Sequence, residues 1–346
     1  MKKLFLSILL LVSVLIVAAC GGNDKASDGN NEGNNNVNES DDKIVLKIVH
    51  DVAEDHIKGI GANLIKEKVK ERLSDKVEVE VYPNSSLFEV EEGMEALQAG
   101  NVHIVAGATS KLVGYDPAYQ LMDMPFLFSN ADQIKNFLNE PAGQDFLAKV
   151  EEYDLKILDL WVGAFKQMTN NKHPIEKPED LEGLKMRVMA GGLLEDQYTE
   201  LGAGATIIPF GELYMALQQG TIDGQENTFI EIATSNLHEV QKYMTITNHA
   251  PATYPILTNK SFWEGLPDDI RTELDEIIAE VSQEVADMAE SVAQENYETI
   301  ANSNIEITEL SDAQREEFRN ALQPLYEKYK DQIGEDVLNA ALDATK

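Results

Sequence analysis

Residues 180–227 read DLEGLKMRVMAGGLLEDQYTELGAGATIIPFGELYMALQQGTIDGQEN. Near the start of this stretch Leu184, Met186 and Val188 alternate with Lys185, Arg187 and Met189. A period of two predicts a strand with one buried face. A helix, a short strand, a second helix and a turn at Asp223-Gly224-Gln225-Glu226-Asn227 are expected to follow. Arg187 falls on the face opposite Leu184 and Met186, beside apolar residues rather than in a charge run. A guanidinium is a planar fork that matches a carboxylate bidentately. By residue type alone Arg187 is either the anion clamp of a binding cleft or one end of a structural salt bridge.

The same alternation of strand and helix runs upstream. Ile44–Val49 (IVLKIV) is strand-like, and Ile57, Ile60, Leu64, Ile65, Val69 and Leu73 form a helical stripe. Val77, Val79 and Val81 alternate with Glu78 and Glu80 as a second strand. Leu87, Val90, Met94 and Leu97 follow helical spacing up to Gly100, and a third strand is expected over Val102–Ala106. Such alternation predicts an α/β fold with largely parallel sheets. Ligands of these folds sit at the carboxyl ends of strands. Here those ends are His50-Asp51 and Gly107-Ala108-Thr109-Ser110. Downstream, Ile157–Trp161 is a strand leading through Gly163–Asn170, a candidate domain crossing, and Thr245–Tyr254 reads as the return. A stripe from Ile270 to Val292 predicts a helix reaching Ile300, long enough to span two lobes. A short strand at Ile305–Ile307, a capping box at Ser311 and Gln314, and a last helix near Glu335–Ala341 complete the chain.

The sequence has 346 residues and a formal net charge of −33. So acidic a balance argues against nucleic acid as a partner, because phosphate binding needs clustered Lys and Arg. It also requires any anion site to be a local, preorganised positive spot. At the N-terminus Lys2 and Lys3 precede the apolar run LFLSILLLVSVLIV, and Val17-Ala18-Ala19-Cys20 closes it. Residues 1–20 therefore read as a secretory signal. VAAC resembles the bacterial lipobox, in which the cysteine is lipidated and becomes the first residue of the mature chain; the other reading is a chance cysteine. Residues 21–42, rich in Asn, Gly, Ser and Asp, read as a flexible tether.

GxSxG, HExxH, P-loop and CxxC patterns are absent from the sequence, and its single cysteine is Cys20. The six histidines show no metal-ligand spacing; the nearest approach to a cluster is His50, Asp51, Asp55 and His56. A binding protein without cofactor or metal is expected, rather than an enzyme.

KMRVM, then PFGELYMALQQGTIDGQEN, then EVQKYMTITNH closely resemble the solute receptors of TRAP transporters, of the C4-dicarboxylate-binding type. EVYPNSSL at Glu80–Leu87 and PEDLEGLK at Pro178–Lys185 do so as well, and the likeness spans essentially all of the chain beyond the tether. The resemblance implies two α/β lobes of the periplasmic-binding-protein type (class II), joined by crossing strands and a long helix and closing on a ligand. Lobe I would hold residues 43–163 and about 250–290, and lobe II residues 164–249 and about 291–346. It implies that Arg187 pairs with a substrate carboxylate, that Phe210 packs on the ligand and that Asn227 contacts it, with Met189 as a further cleft residue. His50, Asp51 and Thr109 match the first-lobe side of the cleft. Lys166 stands where relatives carry a second arginine, and a lysine cannot make the bidentate fork. The implied function is an extracytoplasmic, lipid-anchored receptor that delivers a small organic acid (a C4-dicarboxylate, a sugar acid or similar) to a membrane permease. A receptor for an ATP-driven importer or sensor kinase, a secreted enzyme of acidic substrates and an adhesive lipoprotein are the rival readings.

Overall fold

The structure, a computed structural model, describes residues 43–346. The signal-like run, Cys20 and the polar stretch to Asp42 lie outside the described residues. In chain order the described elements begin β1 (Ile44–His50), α1 (Ile57–Arg72), β2 (Val77–Tyr82), α2 (Val90–Gln98) and β3 (Ile104–Ala106). A 3-10 turn at Pro117–Asp123 leads to α3 (Ala131–Asn139), α4 (Pro141–Ala148) and β4 (Leu155–Phe165). Then come β5 (Gln167–Asn170), β6 (Lys185–Val188), α5 (Leu193–Glu200), β7 (Gly204–Ile207), α6 (Phe210–Gln218) and β8 (Gly224–Asn227). The chain ends with α7 (Phe229–Thr234), β9 (Tyr243–Ile246), β10 (Pro251–Asn259), α8 (Lys260–Glu264), α9 (Asp268–Ala301), β11 (Glu306–Glu309), α10 (Asp312–Ile333) and α11 (Glu335–Asp343).

Two sheets result. One has the order β2-β1-β3-β10-β4, the other β11-β9-β5-β8-β6-β7. Within each sheet the strands that alternate with helices pair in parallel: β1 with β2 and β3, β6 with β7 and β8. The antiparallel members are the strands next to the crossings, β4 with β10 in the first sheet and β5 with β8 and β9 in the second. The sheets are therefore mixed rather than largely parallel.

The crossings lie side by side. Only Lys166 separates β4 from β5, and only residues 247–250 separate β9 from β10. Lys166 N–H donates to the Ala250 carbonyl at 2.8 Å, Thr247 N–H to Gln167 Oε1 at 2.9 Å, and Thr247 Oγ1 to the Lys166 carbonyl at 3.3 Å. Helix α9, 34 residues long and so about 51 Å at 1.5 Å per residue, runs past both sheets. Its N-terminal half buries Ile277, Val281 and Val285 with Leu46, Ile65 and Trp161 of the first lobe. Near its far end Ile300 packs with Leu213, Ile232 and Met244 of the second. Helix α10 packs on α5 and on the Pro117–Asp123 turn, and α11 on α3 and α4. Among the described residues no helix is long and apolar enough to cross a membrane.

Two local expectations change. Asp223–Asn227 is not a turn: Gly224–Asn227 is β8, fully buried between β5 and β6. A polar strand survives burial because its side chains are partnered: Gln225 Nε2 donates to Thr169 Oγ1 at 2.9 Å, which donates to Gln241 Oε1 at 2.9 Å. A Cβ at Gly224 would stand 2.2 Å from the Thr169 carbonyl oxygen, so glycine is what lets β8 approach β5. Likewise β6 has no solvent face at Arg187. Met186, Arg187 and Val188 are all buried, as expected of a strand covered on both sides.

Candidate functional site

A small, partly open cavity of about 40 Å³ lies between the two sheets. Its walls come from both lobes. Asp51, Lys58, Ser110 and Tyr254 face it from the first; Arg187, Met189, Phe210 and Asn227 face it from the second; Lys166 faces it from between them.

Arg187 sits at the centre of this wall, 1% exposed. Its Nε donates to the Ile208 carbonyl at 2.9 Å, while its Nη1 is buried with no hydrogen-bond partner. Its guanidinium carbon is 6.0 Å from the centroid of the Phe210 ring. Burial pushes its pKa down to about 10, partly offset by Glu226, Asp51, Glu231 and Glu91, so it stays a cation at neutral pH. Three cationic side chains are buried here, and Arg187 alone has no ion-pair partner: Lys58 pairs with Asp51, and Lys166 with Asp123 and Glu226. A desolvated, unpaired fork of N–H donors facing a cavity is a built anion site.

Lys166 is spent differently. Its Nζ donates to Asp123 Oδ1 at 3.0 Å and to Glu226 Oε1 at 2.8 Å. Burial opposes its charge, but the carboxylates of Glu226 and Asp123 outweigh that and hold its pKa above the ordinary lysine range. Glu226 Oε2 in turn accepts from Tyr198 at 2.8 Å and Gln197 at 3.1 Å, and lies 2.8 Å from His249 Nε2. Burial would raise the Glu226 pKa, yet Lys166 and His249 hold it well below the carboxylate range. Asp123 also accepts from Ser110 Oγ at 2.6 Å. Lys166 thus neutralises one carboxylate from each side of the crossing, and does not stand free as a second clamp.

On the first-lobe wall Lys58 is 2% exposed, bonded to Asp51, with its Nζ 4.8 Å from the Tyr254 ring centroid. Lys58 holds the Asp51 pKa down against the opposing effect of burial. Glu231, from α7, reaches across to this wall. Its Oε1 accepts from Tyr254 Oη at 2.5 Å and lies 3.1 Å from His56 Nε2. Asp51 and His56 are therefore engaged with protein partners. Among the described residues no group of three His, Cys, Asp or Glu side chains could hold a metal ion.

Arg187, Lys166, Phe210, Asn227, Met189 and Asp51 are brought together around the cavity; His50 and Thr109 are not. His50 is wholly enclosed at the end of β1, both ring nitrogens without partners. Successive residues point to opposite sides, and it is Asp51 that reaches the cavity. Thr109 turns its hydroxyl to Thr253, 2.7 Å from Thr253 Oγ1, leaving Ala108 and Ser110 to line the space. Sequence reading missed Lys58 and Tyr254. Lys58 did carry a signal, a cation in the first turn of a helix where the macrodipole disfavours it.

Residues 48–332 match the family model of bacterial extracellular solute-binding proteins, family 7. The chain belongs to this family. As a family 7 receptor it is similar to a C4-dicarboxylate-binding protein of Bacillus subtilis, 32% identical over 348 residues and covering 100% of this chain and 99% of that one. Its fold matches a TRAP periplasmic solute-binding protein of Shewanella oneidensis with bound succinate. The two are 35% identical with a TM-score of 0.86, over 88% of this chain and 100% of that one. A TRAP solute-binding protein of Pseudomonas aeruginosa with bound L-malate is 36% identical with a TM-score of 0.80, over 83% and 100% of the two chains. The two-lobed α/β receptor fold read from the sequence is thus the fold of the family, and the protein is a solute-binding receptor rather than an enzyme.

Proposed function

We propose that this receptor takes one small organic acid between its lobes, with the carboxylate on the Arg187 fork, the carbon chain against Phe210 and Met189, and Asn227 as a further polar contact. The observation that carries the reading is a fully buried guanidinium with an unpartnered Nη1 at a cavity wall. Each charge-assisted hydrogen bond there contributes about 1.5–3 kcal/mol, and closure of the lobes is a population shift driven by that difference. Lobe I comprises residues 43–163 and about 250–290, lobe II residues 164–249 and about 291–346, with the Lys166 and 247–250 crossings between them. Its likeness to TRAP solute-binding proteins supports delivery to membrane permease subunits driven by an ion gradient as the role. The VAAC sequence supports lipidation at Cys20 and removal of the residues that precede it, with residues 21–42 as a tether from the outer face of the cell membrane.

The test is mass spectrometry of any acid released on denaturing the purified protein, followed by a thermal-shift panel of organic acids. The acid identified should raise Tm in the wild type. Arg187→Ala should abolish that rise with an unchanged circular dichroism spectrum; full stabilisation of the variant would refute the assignment.

A further inference from the structure

Among the described residues four large hydrophobic side chains are exposed: Leu87, Tyr153, Ile207 and Met215. Three of the four stand at the mouth of the cavity, one on lobe I and two on lobe II. On lobe I, Leu87 precedes α2, whose first turn reaches the cavity edge, where Glu91 pairs with Lys111, a lining residue. On lobe II, Ile207 ends β7, and Met215 lies one turn after Gly211 on the same face of α6. Phe210, between them in the chain, lines the cavity. The two lips touch: a Cβ on Gly211 would stand 3.4 Å from Glu89 Oε1. Tyr153 is elsewhere, its carbonyl accepting from Gln98 at the far end of α2.

The lobe II lip is uncharged in an acidic protein. From Leu201 to Ile222 the one charged residue is Glu212, although 26% of all residues are charged. Gly204, Thr206, Pro209, Gly211 and Gln218 in this stretch are exposed along with Ile207 and Met215, so burial does not explain the missing charge. Strand β7 is also the edge of its sheet, and Gly-Ala-Thr-Ile carries none of the charges that usually blunt an edge. An apolar centre with a polar rim is the anatomy of a protein interface. The rim here is acidic. Glu91 and Glu92 border it on lobe I and Glu212 on lobe II; Glu195 lies beside Ile207, both within 3.5 Å of where a Gly191 Cβ would stand. These charges select the occupant. A second copy would bring the same acidic rim and a formal net charge of −33, and like charges repel. An anionic lipid surface is repelled in the same way. A protein face with an apolar centre and a rim of Lys and Arg is complementary.

We propose that Leu87 of lobe I and the Ile207–Met215 lip of lobe II together form the docking surface for the membrane permease, which meets them with an apolar patch rimmed by Lys and Arg. The inference rests on the reading of this chain as a receptor that delivers to a permease, and adds where the two meet. Because the lips belong to different lobes, the surface is complete only while the cleft is shut. An open receptor presents half of it and leaves the permease free for a loaded one.

The experiment places the photo-crosslinking residue p-benzoylphenylalanine at position 87, 207, 215 or 153 of the full-length receptor, in cells that also make epitope-tagged TRAP permease subunits of the same genome. Positions 87, 207 and 215 should crosslink to a permease subunit, and position 153 should not. Uptake of the acid recovered from the denatured protein, in radiolabelled form, is then measured for Leu87→Glu, Met215→Glu and Tyr153→Glu. Each lip variant should lower uptake at least about 10-fold, while Tyr153→Glu transports as wild type. The Tm rise given by that acid should be unchanged in all three purified variants, which shows that fold and solute site are intact and that the lost uptake reports docking. Lip variants that transport at the wild-type rate, crosslinks from position 153 as strong as those from the lips, or a loss confined to the variant of one lobe would overturn the shared surface while leaving the receptor reading in place. A receptor dimer in sedimentation that Met215→Glu dissolves would overturn it in favour of a second copy. A wild type that supports no uptake through these subunits removes the permease reading itself, and the docking surface with it.

Discussion

Replacing Arg187 by methionine separates its two readings, ligand clamp and structural tie. A clamp held ready for an absent ligand carries a folding cost that a structural salt bridge does not. The fall of the Arg187 pKa from 12.5 to about 10 corresponds to roughly 3 kcal/mol against the charged form in the folded state. Methionine removes the charge and the unpartnered Nη1 and fills much of the same volume. It also loses the Nε bond to the Ile208 carbonyl, about 1 kcal/mol. The ligand-free variant is therefore expected to be about 1–2 kcal/mol more stable than wild type while binding no carboxylate. Urea unfolding of protein stripped of ligand by unfolding and refolding measures this as a higher midpoint with an unchanged slope. At neutral pH the arginine is fully charged on either value, so the gain should not vary between pH 6 and 8. A variant destabilised by more than about 2 kcal/mol would show that the guanidinium ties the fold together, and the clamp argument would be wrong.

Lys166→Met should do the reverse and cost about 3–5 kcal/mol, because Asp123 and Glu226 are left buried without their shared cation; a loss under about 1 kcal/mol in the same unfolding assay would contradict the network described. His50 is pushed down to about 4 by burial, with Lys58 adding to it. Its folded pKa lies below the unfolded 6.5, so the stability it contributes is full above pH 6.5 and is lost as pH falls toward 4, by about 3 kcal/mol in all. His50→Leu should flatten that part of the stability–pH curve, and an unchanged slope between pH 6.5 and 4 would exclude His50 as its source. Gly224→Ala drives a methyl against the Thr169 carbonyl and should cost at least about 1–3 kcal/mol; thermal unfolding at wild-type Tm would show that β5 and β8 can part at no cost.

The elements that bury an apolar stripe were legible in the sequence. The strand at 44–50, the helix at 57–72 and the helix at 268–301 were each marked by periodic Ile, Leu and Val. Strand β8 was not, because Asp-Gly followed by Gln, Glu and Asn carries turn chemistry and no alternation, and its burial depends on partners on other strands. The partners of Lys166 were out of reach for the same reason. Asp123 and Glu226 lie 43 and 60 residues from it in a chain with 61 acidic residues, where no local pattern singles out two. Arg187, Phe210 and Asn227 were found through family resemblance, and the fold brings them to one wall. The strand-end rule located the first-lobe rim but could not say which side chain of a rim loop turns inward, so His50 and Thr109 were named where Lys58 and Tyr254 face the cavity.

The paired crossings have a mechanical consequence. Bonded to each other through Lys166, Ala250, Thr247 and Gln167, they form a two-stranded ribbon rather than two separate strings. Torsion applied to one strand is carried by the other, so the lobes can turn about a single axis and have little freedom to slide or splay. The entropy of ordering this joint is lost when the chain folds. An arriving solute then has only a rotation to bias, and the free energy of its contacts is left for affinity.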